Sequence, residues 1–170
     1  MKELILGGVR SGKSRLAEQH AQESSLPVIC IATATAQDEE MRARIAHHQA
    51  QRLDHWQLVE EPLALAATLQ LHAGEGHCVL VDCLTLWLTN LLCLDDEARL
   101  RQEINALLDV LPTLPGQIIL VSNETGMGVV PLGELTRRYC DEAGRLHQAV
   151  AARCDRVTLT VAGLPLVVKG

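Results

Sequence analysis

The densest chemistry in the chain lies in the run Gly7, Gly8, Val9, Arg10, Ser11, Gly12, Lys13 and Ser14, which spells G-x-x-x-x-G-K-S, the pattern of a phosphate-binding loop. Glycine lets the backbone curl until successive N–H groups face phosphate oxygens, a geometry that a Cβ obstructs. Lys13 is then expected to reach the outer phosphates, Ser14 to offer its hydroxyl to Mg²⁺, and the helix that begins here to aim its positive end at the anion. The apolar run Cys78-Val79-Leu80-Val81-Asp82 ends in a carboxylate. Beside a phosphate loop that is the Walker B pattern, in which Asp82 holds Mg²⁺ directly or through water. An Asp that merely caps the next helix would look the same.

A third group is basic. Gln37-Asp38-Glu39-Glu40 opens an acidic first turn, and Met41 to Leu53 is expected to follow as a helix. At about 100° per residue Met41 and Ile45 share the inward face, with Arg44, His48 and Arg52 stacked at spacing four beside them. The apolar stripe therefore draws His48 toward the body of the protein and leaves His47 nearer solvent. On residue types alone, a histidine on such a helix is more often structural.

The elements that must position these groups alternate between apolar runs and helical patterns, the mark of β-α units around a parallel sheet. Leu4-Ile5-Leu6 reads as a buried strand before the loop, and Leu16, Ala17, His20 and Ala21 follow helical spacing after it. Ser24-Ser25-Leu26-Pro27 makes a turn, and Val28 to Ala32 is a second strand. It ends in Ala32-Thr33-Ala34, small residues that leave room at its carboxyl end. Trp56 to Val59 is expected as a short strand, and Glu60-Glu61-Pro62 as the start of a helix over Leu63 to Leu71, stopped by Gly74 and Gly76. Leu84, Trp87, Leu88, Leu91 and Leu92 form one core stripe, and Leu100, Ile104, Leu107, Leu108 and Leu111 another. Pro112 and Pro115-Gly116 break the chain before a strand from Gln117 to Val121. The loop Ser122 to Gly128 stands where an open α/β sheet places ligand contacts, although a long turn reads the same way. A long helix from Gly133 to about Arg153 should turn Leu135, Tyr139, Leu146 and Val150 inward and leave Arg137, Arg138, Asp141 and Arg145 solvated. Val157 to Val161, the turn Ala162 to Pro165, and Leu166 to Val168 close the chain as an edge hairpin.

Composition sets the outer limits. The chain has 170 residues and no internal repeats or linkers, which suits one domain spanning residues 1–170. It is 48% hydrophobic yet contains no Phe, so its core must be aliphatic. A net charge of −6 argues against nucleic acid or an anionic membrane as partner, since those need a basic face. The start Met1-Lys2-Glu3 does not read as a signal peptide, and no run approaches the ~20 apolar residues of a membrane span. A soluble cytoplasmic protein is expected. The six cysteines include no C-x-x-C pair and read as reduced, mostly buried small hydrophobes.

The residues so far describe a Mg²⁺-dependent nucleotide enzyme. The order of motifs is more specific: Gly7 to Ser14, then Arg44-Ile45-Ala46-His47-His48 with Arg52 and Trp56, then Asp82-Cys83-Leu84-Thr85 with Asn90, then Ser122-Asn123-Glu124 through Gly128-Val129-Val130-Pro131, and Gly144-Arg145 with Gln148. From Leu4 to Lys169 this closely resembles the bifunctional adenosylcobinamide kinase / adenosylcobinamide-phosphate guanylyltransferase family of cobalamin biosynthesis.

The resemblance implies a RecA-like P-loop NTPase fold with a largely parallel sheet, a homotrimer, and two reactions. In the first, the aminopropanol hydroxyl of adenosylcobinamide takes the γ-phosphoryl group of ATP or GTP. In the second, a histidine attacks the α-phosphorus of GTP, pyrophosphate leaves, and GMP passes to the new phosphate to give adenosylcobinamide-GDP. The family's R-I-x-x-H-x-x-x-R pattern places that histidine at His48. It also implies nucleotide contacts from Ala32, Thr33 and Ala34, from Gln49, Ala50, Gln51 and Arg52, and from Glu60 and Asp82. Lys13 and Asp82 would share catalysis with His48, and Ser14 and Asp82 would hold Mg²⁺. Two positions depart from the pattern: Asp82 stands where some relatives carry Glu, and His147 where Asn is usual. An N-K-x-D guanine element is absent from the sequence. Two simpler readings are a P-loop small-molecule kinase without a covalent intermediate and a nucleotide-switched binding module.

Overall fold

The structure is a computed structural model that describes residues 1–35 and 56–170. The expected helix Met41 to Leu53, with Arg44, His47, His48 and the segment Gln49 to Arg52, lies outside the described residues.

The first unit is β1 (Lys2–Gly7), the glycine loop, α1 (Lys13–Glu23) and β2 (Val28–Ala32). After Trp56 come β3 (Gln57–Glu60), α2 (Leu65–His72), β4 (Cys78–Asp82), α3 (Leu84–Cys93) and α4 (Glu97–Val110). A 3₁₀ turn over Leu111–Thr113 leads to β5 (Gln117–Asn123), followed by α5 (Glu134–Arg153), β6 (Arg156–Val161) and β7 (Leu164–Lys169). Among the described residues the strands form one sheet in the order β3-β2-β4-β5-β1-β6-β7. Every neighbouring pair is parallel except β6 and β7.

Side chains alternate across a strand, so a sheet covered on both faces needs nearly continuous apolar strands. Leu4, Val79, Val81, Ile118 and Leu120 face one core, with Leu65, Leu69, Trp87, Leu88, Leu107 and Leu146 from α2 to α5. Ile5, Cys78, Leu80, Ile119 and Val121 face the other, against Ala17 and Ala21 of α1. The small alanines let α1 lie close on the sheet. With no Phe, the largest fully buried side chain is Trp87, and its indole N–H donates to the Leu63 carbonyl at 2.8 Å. Truncating such a residue to alanine costs about 3–5 kcal/mol.

Several expected boundaries move. The helix placed at Leu63 begins at Leu65, because Glu61 Oε1 accepts from the N–H groups of Leu63 and Ala64, both at 2.8 Å, and holds those residues in a turn. Strand β3 starts one residue after Trp56 and takes in Glu60. Ser122 and Asn123 belong to β5 rather than to the loop after it, since they pair with Leu6 and Gly7 of β1. Leu135 is not inward: it is 59% exposed, whereas Leu146 and Val150 further along α5 are buried in the core. Tyr139 is half-buried against that core. The final turn is shorter than expected, with Ala162 and Gly163 alone between the hairpin strands, both at positive φ (51° and 81°). Cys30, Cys78, Cys83 and Cys154 are buried, Cys140 is half-buried and Cys93 exposed, and all six are free thiols.

Candidate functional site

The chain leaves β1 at Gly7 and turns back into α1 through the glycine loop. Gly12 caps the helix at φ 96°, and Arg10 also takes positive φ, 55°. Ser11 N–H donates to the Gly8 carbonyl at 3.2 Å, and Leu16 N–H to the Gly12 carbonyl at 3.0 Å. The final hairpin braces this curl: Gly163 N–H donates to the Ser11 carbonyl at 2.8 Å, and a Cβ at Gly12 would lie 3.1 Å from Gly163 Cα. A Cβ at Gly7 would meet Ser11 Oγ and approach the Thr160 carbonyl oxygen to 2.8 Å. One at Gly8 would meet nothing within 4 Å, so that part of the curl is open to an approaching group.

Lys13 Nζ donates to the Gly8 carbonyl at 3.1 Å. Burial lowers its pKa, with Cys83 and Asp82 acting in the opposite direction. The ammonium is thus a partly desolvated cation bent over its own loop beside the end of β4. Burial, reinforced by Asp82, pushes the Cys83 thiol up to about 11, so it stays protonated at neutral pH and is no thiolate nucleophile.

The parallel register brings the other candidates to the same end of the sheet. Ala32 lies opposite Asp82 on one side and Glu60 on the other, and Asp82 lies opposite Val121. Thr33 is buried; its hydroxyl donates to the Cys83 carbonyl at 2.7 Å and accepts from Cys83 N–H at 3.0 Å. Asn90 on α3 donates to the carbonyls of Thr33 (2.8 Å) and Pro62 (3.2 Å), and Thr35 Oγ1 donates to Asn90 Oδ1 at 3.3 Å. Gly7 to Ser14, Ala32 to Ala34, Glu60 and Asp82 therefore stand at the carboxyl ends of β1, β2, β3 and β4. Ligands of open α/β sheets bind there. Hydroxyl and carboxylate oxygens such as those of Ser14 and Asp82 are hard donors that suit Mg²⁺. Among the described residues no cluster of three or more His, Cys, Asp or Glu could hold a metal ion.

A model of the family described as "Cobinamide kinase / cobinamide phosphate guanyltransferase" matches residues 3–168. The chain belongs to that family. It is 68% identical to the bifunctional adenosylcobalamin biosynthesis protein CobP of Pseudomonas aeruginosa, covering 100% of this chain and 98% of that one. Against the bifunctional adenosylcobalamin biosynthesis protein CobU of Escherichia coli the identity is 38%, over 99% of this chain and 100% of the relative. Among solved structures, the RadB recombinase superposes with a TM-score of 0.55 at 17% identity, covering 93% of this chain and 73% of the other, which places the fold among RecA-like P-loop proteins.

In this cobinamide kinase / guanyltransferase family member a second polar system adjoins the loop, and motif spacing did not disclose it. Asn123 N–H donates to Thr85 Oγ1 at 2.7 Å, Thr85 Oγ1 lies 3.3 Å from Ser122 Oγ, and Ser122 Oγ lies 2.8 Å from His147 Nε2. His147 is buried, and burial lowers its pKa while Glu124 opposes the shift. Glu124 N–H donates to the Gly7 carbonyl at 3.0 Å, tying the end of β5 to the first glycine of the curl. Thr85, Ser122-Asn123-Glu124 and His147 were each visible as separate motif positions; that they meet was not, because they lie far apart along the chain.

Proposed function

We propose that this protein carries out both reactions of its family on one nucleotide-binding domain: phosphorylation of adenosylcobinamide by ATP or GTP, and transfer of GMP from GTP to the resulting phosphate. The observation that carries the kinase half is the braced glycine curl with Lys13 folded over it beside Asp82. Loop N–H groups and Lys13 bind and orient the triphosphate, and charge neutralisation of this kind is the larger part of phosphoryl-transfer catalysis. Ser14 and Asp82 would hold Mg²⁺, which supplies further charge stabilisation when bound.

For the guanylyl half, His48 is the proposed nucleophile and Arg44 and Arg52 its flanking cations. The imidazole attacks the α-phosphorus of GTP, the bond to the bridging oxygen breaks and pyrophosphate leaves. GMP then passes from the ring nitrogen to the corrinoid phosphate, so one difficult transfer becomes two easier ones. Ala32, Thr33, Ala34, Gln49, Ala50, Gln51, Arg52 and Glu60 are the proposed contacts to the guanine nucleotide. The hydrogen bonds that fix Thr33 support a preformed rather than induced pocket at that position.

A homotrimer is part of the same proposal. Leu164, Leu166 and Val168 on the edge strand β7 are 71%, 58% and 64% exposed, and an apolar edge is an aggregation liability unless a neighbour covers it. Among the described residues no helix is long and apolar enough to cross a membrane, in keeping with a proposed cytoplasmic site of action.

Incubation with adenosylcobinamide and γ-labelled ATP tests the kinase half, with labelled adenosylcobinamide phosphate expected. Adding GTP should then yield adenosylcobinamide-GDP. Absence of labelled corrinoid would overturn this reading.

A further inference from the structure

Phosphoryl transfer to a hydroxyl needs a group to take the hydroxyl proton, and among the described residues the carboxylates at the loaded end of the sheet are mostly committed. Asp82 stands beside Lys13 and is the proposed metal ligand. Glu61 Oε1 is engaged by two backbone N–H groups. Glu60 lies on β3, the edge strand farthest from the glycine loop.

Glu124 is placed differently. It leaves β5, the strand between the Asp82 strand and the glycine-loop strand, and its own N–H is bonded to the Gly7 carbonyl. Its side chain is 19% exposed, open enough to meet a substrate yet shielded from bulk water. Oε1 accepts from Gly126 N–H, while Oε2 faces His147 Nδ1 at 3.9 Å, beyond hydrogen-bond length. His147 is in turn anchored at Nε2 by Ser122. Burial favours the uncharged form of the His147 ring.

We infer that Glu124 is the general base of the kinase reaction. The acceptor hydroxyl oxygen forms a bond to the γ-phosphorus, and the bond from that phosphorus to the β,γ-bridging oxygen breaks. Nucleoside diphosphate leaves with the electron pair, and the hydroxyl proton passes to Glu124 Oε2. Guanylyl transfer needs no such base, because its acceptor is a phosphate oxygen that is already ionised.

The inference rests on the kinase reading, and the experiment separates the two. The full-length wild type is assayed with adenosylcobinamide and ATP for phosphorylation, and with adenosylcobinamide phosphate and GTP for guanylylation; no phosphorylation by the wild type would sink the kinase reading itself. With that activity present, Glu124→Gln should lose about 10²–10⁴-fold in kinase kcat, with little change in KM for ATP and guanylylation within a few-fold of wild type. Kinase activity near wild type would overturn the inference, and so would equal loss of both reactions in a variant with unchanged Tm. A second variant, Glu124→Ala, should regain part of its kinase rate when formate is added as an external base. No response to formate would contradict the assignment.

Discussion

Asn90 and Thr33 are joined by a 2.8 Å hydrogen bond from a side-chain amide to a backbone carbonyl, across a sequence separation of 57 residues. The same amide reaches the Pro62 carbonyl, so one buried side chain ties the ends of β2 and β3 to α3. Asn90→Ala would leave those carbonyls without this donor. We expect a loss of about 1–3 kcal/mol in stability and a raised KM for GTP, measured by denaturant unfolding and steady-state kinetics. Asn90→Asp keeps the acceptor for Thr35 but not the donor, and should behave more like alanine than like wild type.

Gly7 and Gly8 should respond differently to alanine. At Gly7 the new Cβ would press on the Thr160 carbonyl oxygen, which belongs to the backbone of β6 and cannot swing aside. Gly7→Ala is expected to lower Tm by several degrees and to abolish detectable nucleotide binding by calorimetry. Gly8→Ala meets no protein atom within 4 Å, so its Tm should stay close to wild type while its affinity for the triphosphate falls.

His147 makes stability depend on pH. Its folded pKa lies below the ordinary 6.5 because burial disfavours the charged ring. The unfolded chain therefore binds a proton that the folded chain resists, and the stabilisation present above about pH 6.5 is lost as pH falls toward the folded pKa. His147→Asn should flatten the fall in Tm between pH 7.5 and pH 5.5. An unchanged profile in that variant would mean that other groups dominate the acid limb.

Glu3 sits at the opposite end of β1 from Gly7. It is fully buried, with Oε2 2.9 Å from His20 Nδ1, and it accepts from the Thr158 hydroxyl at 3.3 Å. Arg156 Nε stands 3.6 Å from its other oxygen. Glu3→Ala should cost about 2–3 kcal/mol in chemical unfolding. Because the change is remote from the glycine loop, kcat and KM of the folded fraction should be unaltered.

Local patterns carried much of the architecture. The strands Leu4-Ile5-Leu6, Val28 to Ala32 and Cys78 to Asp82 were legible because parallel strands buried on both faces are written as unbroken apolar runs. The stripes of Trp87 and Leu107 announced their helices in the same way. Legibility failed where single hydrogen bonds or distant residues decide. Glu61 delays α2 by accepting from the N–H groups of Leu63 and Ala64, Gly163 braces Ser11 from the other end of the chain, and Leu135 stays exposed at the start of α5. The Thr85-Ser122-His147 contacts join β5 to two helices through single polar atoms, and no periodicity records such bonds. The candidate site was legible as far as its glycine loop and Asp82. His48 rests on helical spacing and family pattern, since it lies outside the described residues.

The guanylyl-histidine is the centre of the account, and labelling addresses it directly. Protein incubated with GTP labelled at the α-phosphate and then denatured should carry a covalent label that is labile to acid and stable to alkali. His48→Ala should abolish that label and His47→Ala should retain it, while both variants still phosphorylate adenosylcobinamide. Label persisting in His48→Ala, or wild-type protein labelled from the γ-phosphate alone, would contradict it.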